Sequence, residues 1–206
     1  MDSQTAPAPR RRSSAPRKGD LREQAILDTA ERLLAVPGYE AMTMADIASG
    51  AGITRGALYF YFGSKQEVVT ALVARTVRAL HEKSWAAEND PADPRTAIET
   101  AMSRTVDIWL EHGLVMRAAI DLSPAIPAVA ALWSQTADIF TRAITTVLER
   151  AGIPRGTQAG EAGAMASPVC WMIERSFYHA SCVSPGELQR TSATCQDLWL
   201  RIAGLV

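Results

Sequence analysis

Three glycines, Gly50, Gly52 and Gly56, and four consecutive aromatic residues at 59–62 lie close together in the segment GAGITRGALYFYFGSK. Glycines at this density can form a loop that holds a phosphate, and exposed rings can stack on bases. The dinucleotide-binding pattern G-x-G-x-x-G fails, because its third glycine would fall at Arg55. The Gly-Lys-Ser/Thr sequence of a P-loop is also missing from this segment. The pattern therefore favours contact with a nucleic acid over a bound nucleotide.

Residue types that carry catalysis or bind metals are sparse. His81, His112 and His179 lie far apart in sequence, and none has a Cys or Asp at metal-ligand spacing. The chain has no HExxH and no GxSxG pattern. Its three cysteines form no CxxC pair, which favours reduced thiols packed as small hydrophobes. We expect a protein that is not an enzyme, with no catalytic residue, no metal and no cofactor.

Apolar residues recur at helical spacing throughout, and no period-two alternation is long enough for a sheet. We predict an all-α protein of about nine helices. The first begins at Asp20, which forms a capping-box pattern with Glu23, and Ser64 and Glu67 repeat the pattern before a helix of more than 20 residues. Beyond a break at 88–94, the predicted helices span 94–112, 114–122, 126–151, 158–182 and 185–204.

Between the first and the long helix, TMADIASGAGITRGALYFYF fits two short helices joined by a tight turn. Thr43 begins the first and Thr54 caps the second. Gly52 can adopt the positive φ of the turn, and Ile53 and Leu58 point to the core. This is a helix-turn-helix pattern, which leaves the start of its second helix exposed to enter a major groove.

The run from about Asp20 to Leu72, above all GITRGALYFYFGSKQE, resembles the DNA-binding domain of TetR-type transcriptional regulators. The resemblance implies a three-helix DNA-binding head over 20–67 and a helical ligand-binding and dimerisation domain over 68–206. It also implies a set of residues in contact with double-stranded DNA. These are Thr43, Thr54, Arg55, Gly56, Ala57, Tyr59, Tyr61 and Lys65.

Each role has a physical basis and an ordinary alternative. Arg55 can bind guanine O6 and N7, or it can be exposed without base specificity. Tyr59 and Tyr61 can reach bases or phosphates, or they can be half-buried core aromatics. Lys65 can bind a phosphate or be an ordinary surface charge. Phe60 stays open between backbone contact and packing.

The predicted head is acidic. Residues 20–67 carry four basic and seven acidic side chains, about −3, whereas residues 1–19 carry five basic residues against Asp2, about +4. The segment 1–19 is rich in Pro and Ser, so we expect a disordered basic arm there. Basic arms can lie in the minor groove, and we expect this one to supplement the head. A solvated tail with no partner has the same composition. The arm residues expected to contact DNA are Arg10, Arg11 and Arg12.

Aromatic and methionine residues are frequent in the C-terminal half, and core packing explains most of them. The segments ENDPADPR, AALWSQTADIF and WMIERSFYHAS are similar, in patches, to those of a mycobacterial repressor in the same family. That resemblance implies a long apolar pocket. Glu174 and Arg175 could form a surface pair, a buried anchor or an interface pair. The residues expected to line the pocket are Met102, Trp109, Trp133 and Phe140.

Together these features predict a cytoplasmic, homodimeric repressor that binds a palindromic operator and is released by a small hydrophobic effector. Helices 158–182 and 185–204 are expected to pair with their copies in a four-helix bundle. No signal peptide or membrane span is expected, because no apolar run approaches ~20 residues. An activator, a protein-responsive regulator and a helical scaffold that does not bind DNA stay open as alternatives.

Overall fold

A computed structural model describes residues 18–88 and 93–206, and within these ranges the chain is all-α, as predicted. The predicted basic arm with Arg10, Arg11 and Arg12 lies outside the described residues, apart from its last two positions. Eight helices occur in the described ranges, in place of about nine. They are α1 (Lys18–Ala35), α2 (Met44–Gly50), α3 (Arg55–Tyr61), α4 (Lys65–Glu88), α5 (Pro94–Leu122), α6 (Pro127–Arg150), α7 (Ala162–Ser181) and α8 (Pro185–Ile202).

The missing ninth helix is explained by Gly113, where we predicted a break. Helix α5 runs through it without interruption, and Gly113 is buried. A Cβ added there would lie 3.6 Å from Trp109 Cε3 and 4.0 Å from Ser181 Cβ. The glycine therefore lies where α5 packs closely on α7, and packing outweighs the helix propensity cost of about 1 kcal/mol.

Several predicted helix starts shift by a few residues. Because α1 begins at Lys18, Asp20 lies inside the first turn and is not the N-cap. At α4, Ser64 Oγ accepts from the Glu67 N–H at 3.2 Å, as expected, but the Glu67 carboxylate accepts from Gly63 N–H at 2.8 Å, one residue early for a capping box. Helix α7 begins four residues later than predicted.

The helix-turn-helix forms as its sequence predicts. Thr54 caps α3 by accepting the Ala57 N–H at 3.1 Å. Gly52 has φ +66° in the turn, and the Ile53 N–H donates to the Ala48 carbonyl at 3.0 Å. Leu58 is fully buried beneath the turn. Backbone hydrogen bonds in the turn and the buried Leu58 beneath it therefore hold the two short helices together.

Helix α4 belongs to the packing of both halves of the chain. Val68, Val69 and Leu72, near its start, are completely buried in the core shared with α1 and α2, and Leu80 is as well buried two turns further on. The Arg75 guanidinium fixes α4 to α1, with Nη1 2.6 Å from Asp28 and Nη2 2.7 Å from Glu31. The predicted division after residue 67 falls at the start of this shared helix and stays a prediction.

The C-terminal half is a helical layer built around α5. Helices α5 and α8 run antiparallel, since Ser192 Oγ donates to the Met102 carbonyl at 3.4 Å and Arg95 donates to the Leu205 carbonyl. Among the described residues, no single helix is long and apolar enough to cross a membrane. Helices α5 and α6 pass that test only as a pair, bent by 118°.

One glycine in the head makes a contact that sets how closely α2 approaches α1. A Cβ at Gly50 would lie 2.6 Å from Thr29 Cγ2, and Thr29 is buried. We expect Gly50→Ala to lower the free energy of unfolding by about 1–2 kcal/mol through overpacking, as measured by urea denaturation. Adding Thr29→Ser, which deletes the clashing methyl group, should recover most of that loss.

Gly56→Ala is the matched control, because nothing lies within 4 Å of a Cβ added there. Helix propensity should then leave the stability unchanged or raise it by up to about 1 kcal/mol. Equal losses at the two glycines would show that the contact with Thr29 is unimportant.

Candidate nucleic-acid interface and apolar cavity

The exposed face of α3 carries a preformed pair of side chains. Arg55 Nη2 donates to the Tyr59 hydroxyl at 3.3 Å, and the guanidinium carbon lies 5.7 Å from the centre of the Tyr59 ring. The two residues are one helical turn apart, at i and i+4. Tyr59 thereby restricts the guanidinium while leaving most of its donors free. Such a group can bind a guanine edge with two hydrogen bonds.

Gly56 and Phe60 form the open centre of the same face. Nothing lies within 4 Å of the position of a Cβ at Gly56. Phe60 is 86% exposed, and its ring meets Tyr61 edge-on at 5.6 Å. The spacing of Phe60 from Gly56, at i+4, was the signal in the sequence that could have assigned it to this face. An aromatic ring held so fully in water is an apolar contact surface for a partner.

The other predicted α3 residues differ in exposure. Ala57 is half-buried and Thr54 is exposed. Tyr61 is half-buried and packs against the core, so only part of it faces solvent. Phe62 is buried, as expected. The surface that α3 offers is therefore made chiefly by Arg55, Tyr59 and Phe60.

Thr43 is already paired at the start of α2. Its N–H donates to Asp46 Oδ2 at 2.9 Å and its hydroxyl donates to the same oxygen at 2.6 Å, while Thr43 Oγ1 accepts from the Asp46 N–H. These hydrogen bonds from Thr43 lower the pKa of the Asp46 carboxyl. The Thr43 donors, in a residue predicted to contact DNA, thus hold a carboxylate in the free protein.

Lys65 is tied to the loop between α1 and α2. Its Nζ donates to the carbonyls of Tyr39 at 2.8 Å and Glu40 at 3.3 Å, and it lies 4.3 Å from the centre of the Tyr39 ring. Lys65 is therefore more than a free surface charge. Two of its three donors stabilise the head, and one is left for a phosphate.

An apolar cavity of about 170 Å³ lies between α4, α5, α6, α7 and α8. Trp109, Trp133 and Phe140 line it, as predicted from the sequence. Met102 does not: it is completely buried, and its carbonyl accepts from Ser192 of α8. Leu80 of α4 also lines the cavity. Helix α4 therefore extends from the core of the head to the wall of the cavity.

Three charged side chains line this mainly apolar cavity, those of Arg104, Arg150 and Glu174. Trp133 Nε1 donates to Glu174 Oε2 at 2.9 Å, and burial raises the pKa of that carboxyl. Glu174 is thus a half-buried anchor for Trp133, whereas the Arg175 guanidinium lies 5.2 Å from the Tyr178 ring centre and is exposed. We did not predict from the sequence that Arg104 lines the cavity. The sequence feature that could have shown it is its position on the same helical stripe as 97, 101 and 108, which also line the cavity.

The exposed face of α3 with Arg55, Tyr59 and Phe60 is called the reading surface below. An exposed surface of this kind on the second helix is the defining feature of helix-turn-helix DNA-binding proteins. Residues 26–72 match the model of the bacterial regulatory proteins of the tetR family. The chain is 34% identical over 199 residues to the HTH-type transcriptional regulator EthR of Mycolicibacterium smegmatis, covering 93% of this chain and 90% of the relative. It is 34% identical over 181 residues to EthR of Mycobacterium tuberculosis H37Rv, covering 84% and 82%.

A similar fold is found in the fatty acid degradation regulator FadR from Bacillus halodurans, with a TM-score of 0.72 at 15% identity over 87% of this chain and 94% of the other. The chain belongs to the TetR family of transcriptional regulators. This confirms the resemblance seen in its head and, in patches, in its C-terminal half.

The two roles of Lys65 are separable by stability measurements. Lys65→Met removes both bonds to the carbonyls of Tyr39 and Glu40, so we expect the free energy of unfolding to fall by about 1–3 kcal/mol. Arg55→Met removes the same charge from a side chain whose only hydrogen-bond partner in the described part of the chain is Tyr59, and should leave the urea midpoint nearly unchanged. Equal midpoints for the two variants would show that Lys65 has no structural role.

Proposed function

We propose that this regulator is a homodimeric repressor, acting in the cytoplasm, that binds a palindromic DNA operator and is released by a small apolar effector. The observation that carries the proposal is the continuity of α4. This helix packs against α1 in the head near its start and lines the apolar cavity further on through Leu80. A ligand in the cavity thus contacts the element that supports the head.

The reading surface supports direct contact with base edges. Arg55 would supply the bidentate donors, and the open surface at Gly56 would let the DNA approach the helix backbone closely. Thr43, Thr54, Tyr59, Tyr61 and Lys65 would add contacts to phosphates or bases, and Ala57 would offer a methyl group to a thymine. Phe60, exposed beside them, adds an apolar contact to this set.

Helices α7 and α8 support dimerisation. They form an antiparallel hairpin that leaves Trp171 47% and Leu198 41% exposed. Large apolar residues at this exposure mark a surface for a protein partner, and a second copy of the hairpin would complete a four-helix bundle. A dimer of this kind would present two α3 helices to successive major grooves about 34–36 Å apart.

Release follows from differential affinity. An effector that binds only when the two heads are wrongly spaced shifts the population off the operator. A change from 99:1 to 1:99 requires about 5.5 kcal/mol, which two cavities in a dimer would share.

DNA recognition is tested by selecting genomic fragments with the purified protein and measuring binding by gel shift. We expect Arg55→Ala to weaken specific binding at least about fivefold, since a bidentate base contact contributes about 1–3 kcal/mol. Arg78→Ala is the control, because Arg78 is exposed on α4, more than three turns beyond its start. Equal losses would mean that only the charge matters, and undiminished specific binding by Arg55→Ala would remove Arg55 from the site.

The dimer surface is tested by light scattering coupled to size exclusion. Trp171→Glu should weaken dimerisation at least about thirtyfold, as expected for a central tryptophan that contributes 2 kcal/mol or more. Leu110→Glu is the matched control, because Leu110 is 49% exposed on α5, outside the α7 and α8 hairpin. If only Leu110→Glu produced monomers, the dimer would form through α5 instead.

A further inference from the structure

Two residues that line the cavity each carry a buried hydrogen-bond donor that has no acceptor. Nη1 of Arg104 and Nε1 of Trp199 are both inaccessible to solvent and make no hydrogen bond in the described part of the chain. Both residues line the cavity, and Trp199 is 97% buried, being only 3% exposed. An unpaired buried donor costs about 1–3 kcal/mol. An occupant of the cavity that supplies acceptors to these two side chains would remove that cost.

The side chains of Arg104 and Trp199 lean toward each other along neighbouring antiparallel helices. Helices α5 and α8 are antiparallel, with residue 102 beside 192 and residue 95 beside 205. Helical side chains lean toward the N-terminus of their own helix. Arg104 therefore leans toward residue 100 of α5, and Trp199 leans toward residue 195 of α8. Residues 100 and 195 lie at nearly the same height between the two contacts.

The carboxylate in the cavity does not compete for a ligand in the same way. Glu174 already accepts the Trp133 N–H at 2.9 Å, and burial raises its pKa, which disfavours its charged form. No ion pair joins Glu174 to Arg104 within residues 18–88 and 93–206. The unmet requirement of the cavity is therefore an anionic acceptor and not a cation.

We propose that the effector is an apolar molecule with a terminal carboxylate, which accepts hydrogen bonds from Arg104 and Trp199 while its hydrocarbon part lies against Trp109, Trp133 and Phe140. The cavity of about 170 Å³ is close to the ~150 Å³ cavity that holds benzene in another protein. A straight chain of about six to ten carbons fits that scale. The regulatory consequence rests on the proposed function, but the binding chemistry does not.

The ligand class is tested on the purified full chain, without DNA, by isothermal titration calorimetry. The probes are hexanoate, octanoate and decanoate, with 1-octanol and octylammonium as uncharged and cationic counterparts of octanoate. We expect octanoate to bind at least about tenfold more tightly than 1-octanol, because a hydrogen bond to a charged group is the stronger kind. Octylammonium should bind most weakly of the three.

Substitutions assign the preference to its residues. Arg104→Met should abolish the preference for octanoate over 1-octanol while leaving 1-octanol affinity within about twofold, which also shows that the cavity is intact. Trp199→Phe should weaken octanoate several-fold, and Arg104→Lys should retain part of the preference. Arg142→Met, which removes the same charge from an exposed position on α6 outside the cavity lining, should change nothing.

The proposal is overturned if none of the three carboxylates binds, if 1-octanol or octylammonium binds as tightly as octanoate, or if Arg104→Met keeps the preference. A gel shift with octanoate tests the regulatory role separately. Binding through Arg104 without release of DNA would support the ligand class and reject the proposed release. If the protein binds DNA specifically but binds no carboxylate, the ligand class is rejected and the proposed DNA binding is supported.

Discussion

Helix α4 is buried both in the head and beside the cavity, and the rest of the structure depends on this constraint. Val68, Val69 and Leu72 close the head from below, and Leu80 forms part of the cavity wall. Because α4 carries buried side chains from Val68 to Leu80, the head and the cavity are packed on one rigid element. Arg75 strengthens this connection by binding Asp28 and Glu31 of α1.

The electrostatic character of the exposed surface of the head depends on where individual charged side chains lie, and not on its net charge. With four basic and seven acidic residues over 20–67, the head as a whole repels DNA. Several of the acidic groups are engaged internally: Asp46 caps α2, Glu67 binds the Gly63 N–H, and Asp28 and Glu31 bind Arg75. Arg55 is the guanidinium on α3, and its direction is set by Tyr59. Local geometry therefore concentrates positive charge where the recognition helix is exposed.

The sequence was informative where structure is determined locally and uninformative where it depends on distant contacts. The turn at Gly52 and the Thr54 cap were predictable because positive φ and capping involve only a few consecutive residues. The continuity of α5 through Gly113 was not, because the glycine is explained by Trp109 and by Ser181 on another helix. Met102 was assigned to the cavity because its residue type fits, but it is completely buried and is not part of the cavity lining. Arg104 was missed for the opposite reason, since a charge is not expected in an apolar wall.

The length of α4 would turn a small displacement at the cavity into a large one at the proposed DNA-binding surface. From Leu80 to Lys65 the helix rises about 22 Å at 1.5 Å per residue. A pivot of about 10° near Leu80 would carry the far end by about 4 Å, which exceeds the 3.4 Å spacing of successive nucleotides along one strand. A lever of this length needs no rearrangement within the head. It can leave the helix-turn-helix intact and still move α3 out of register with its groove.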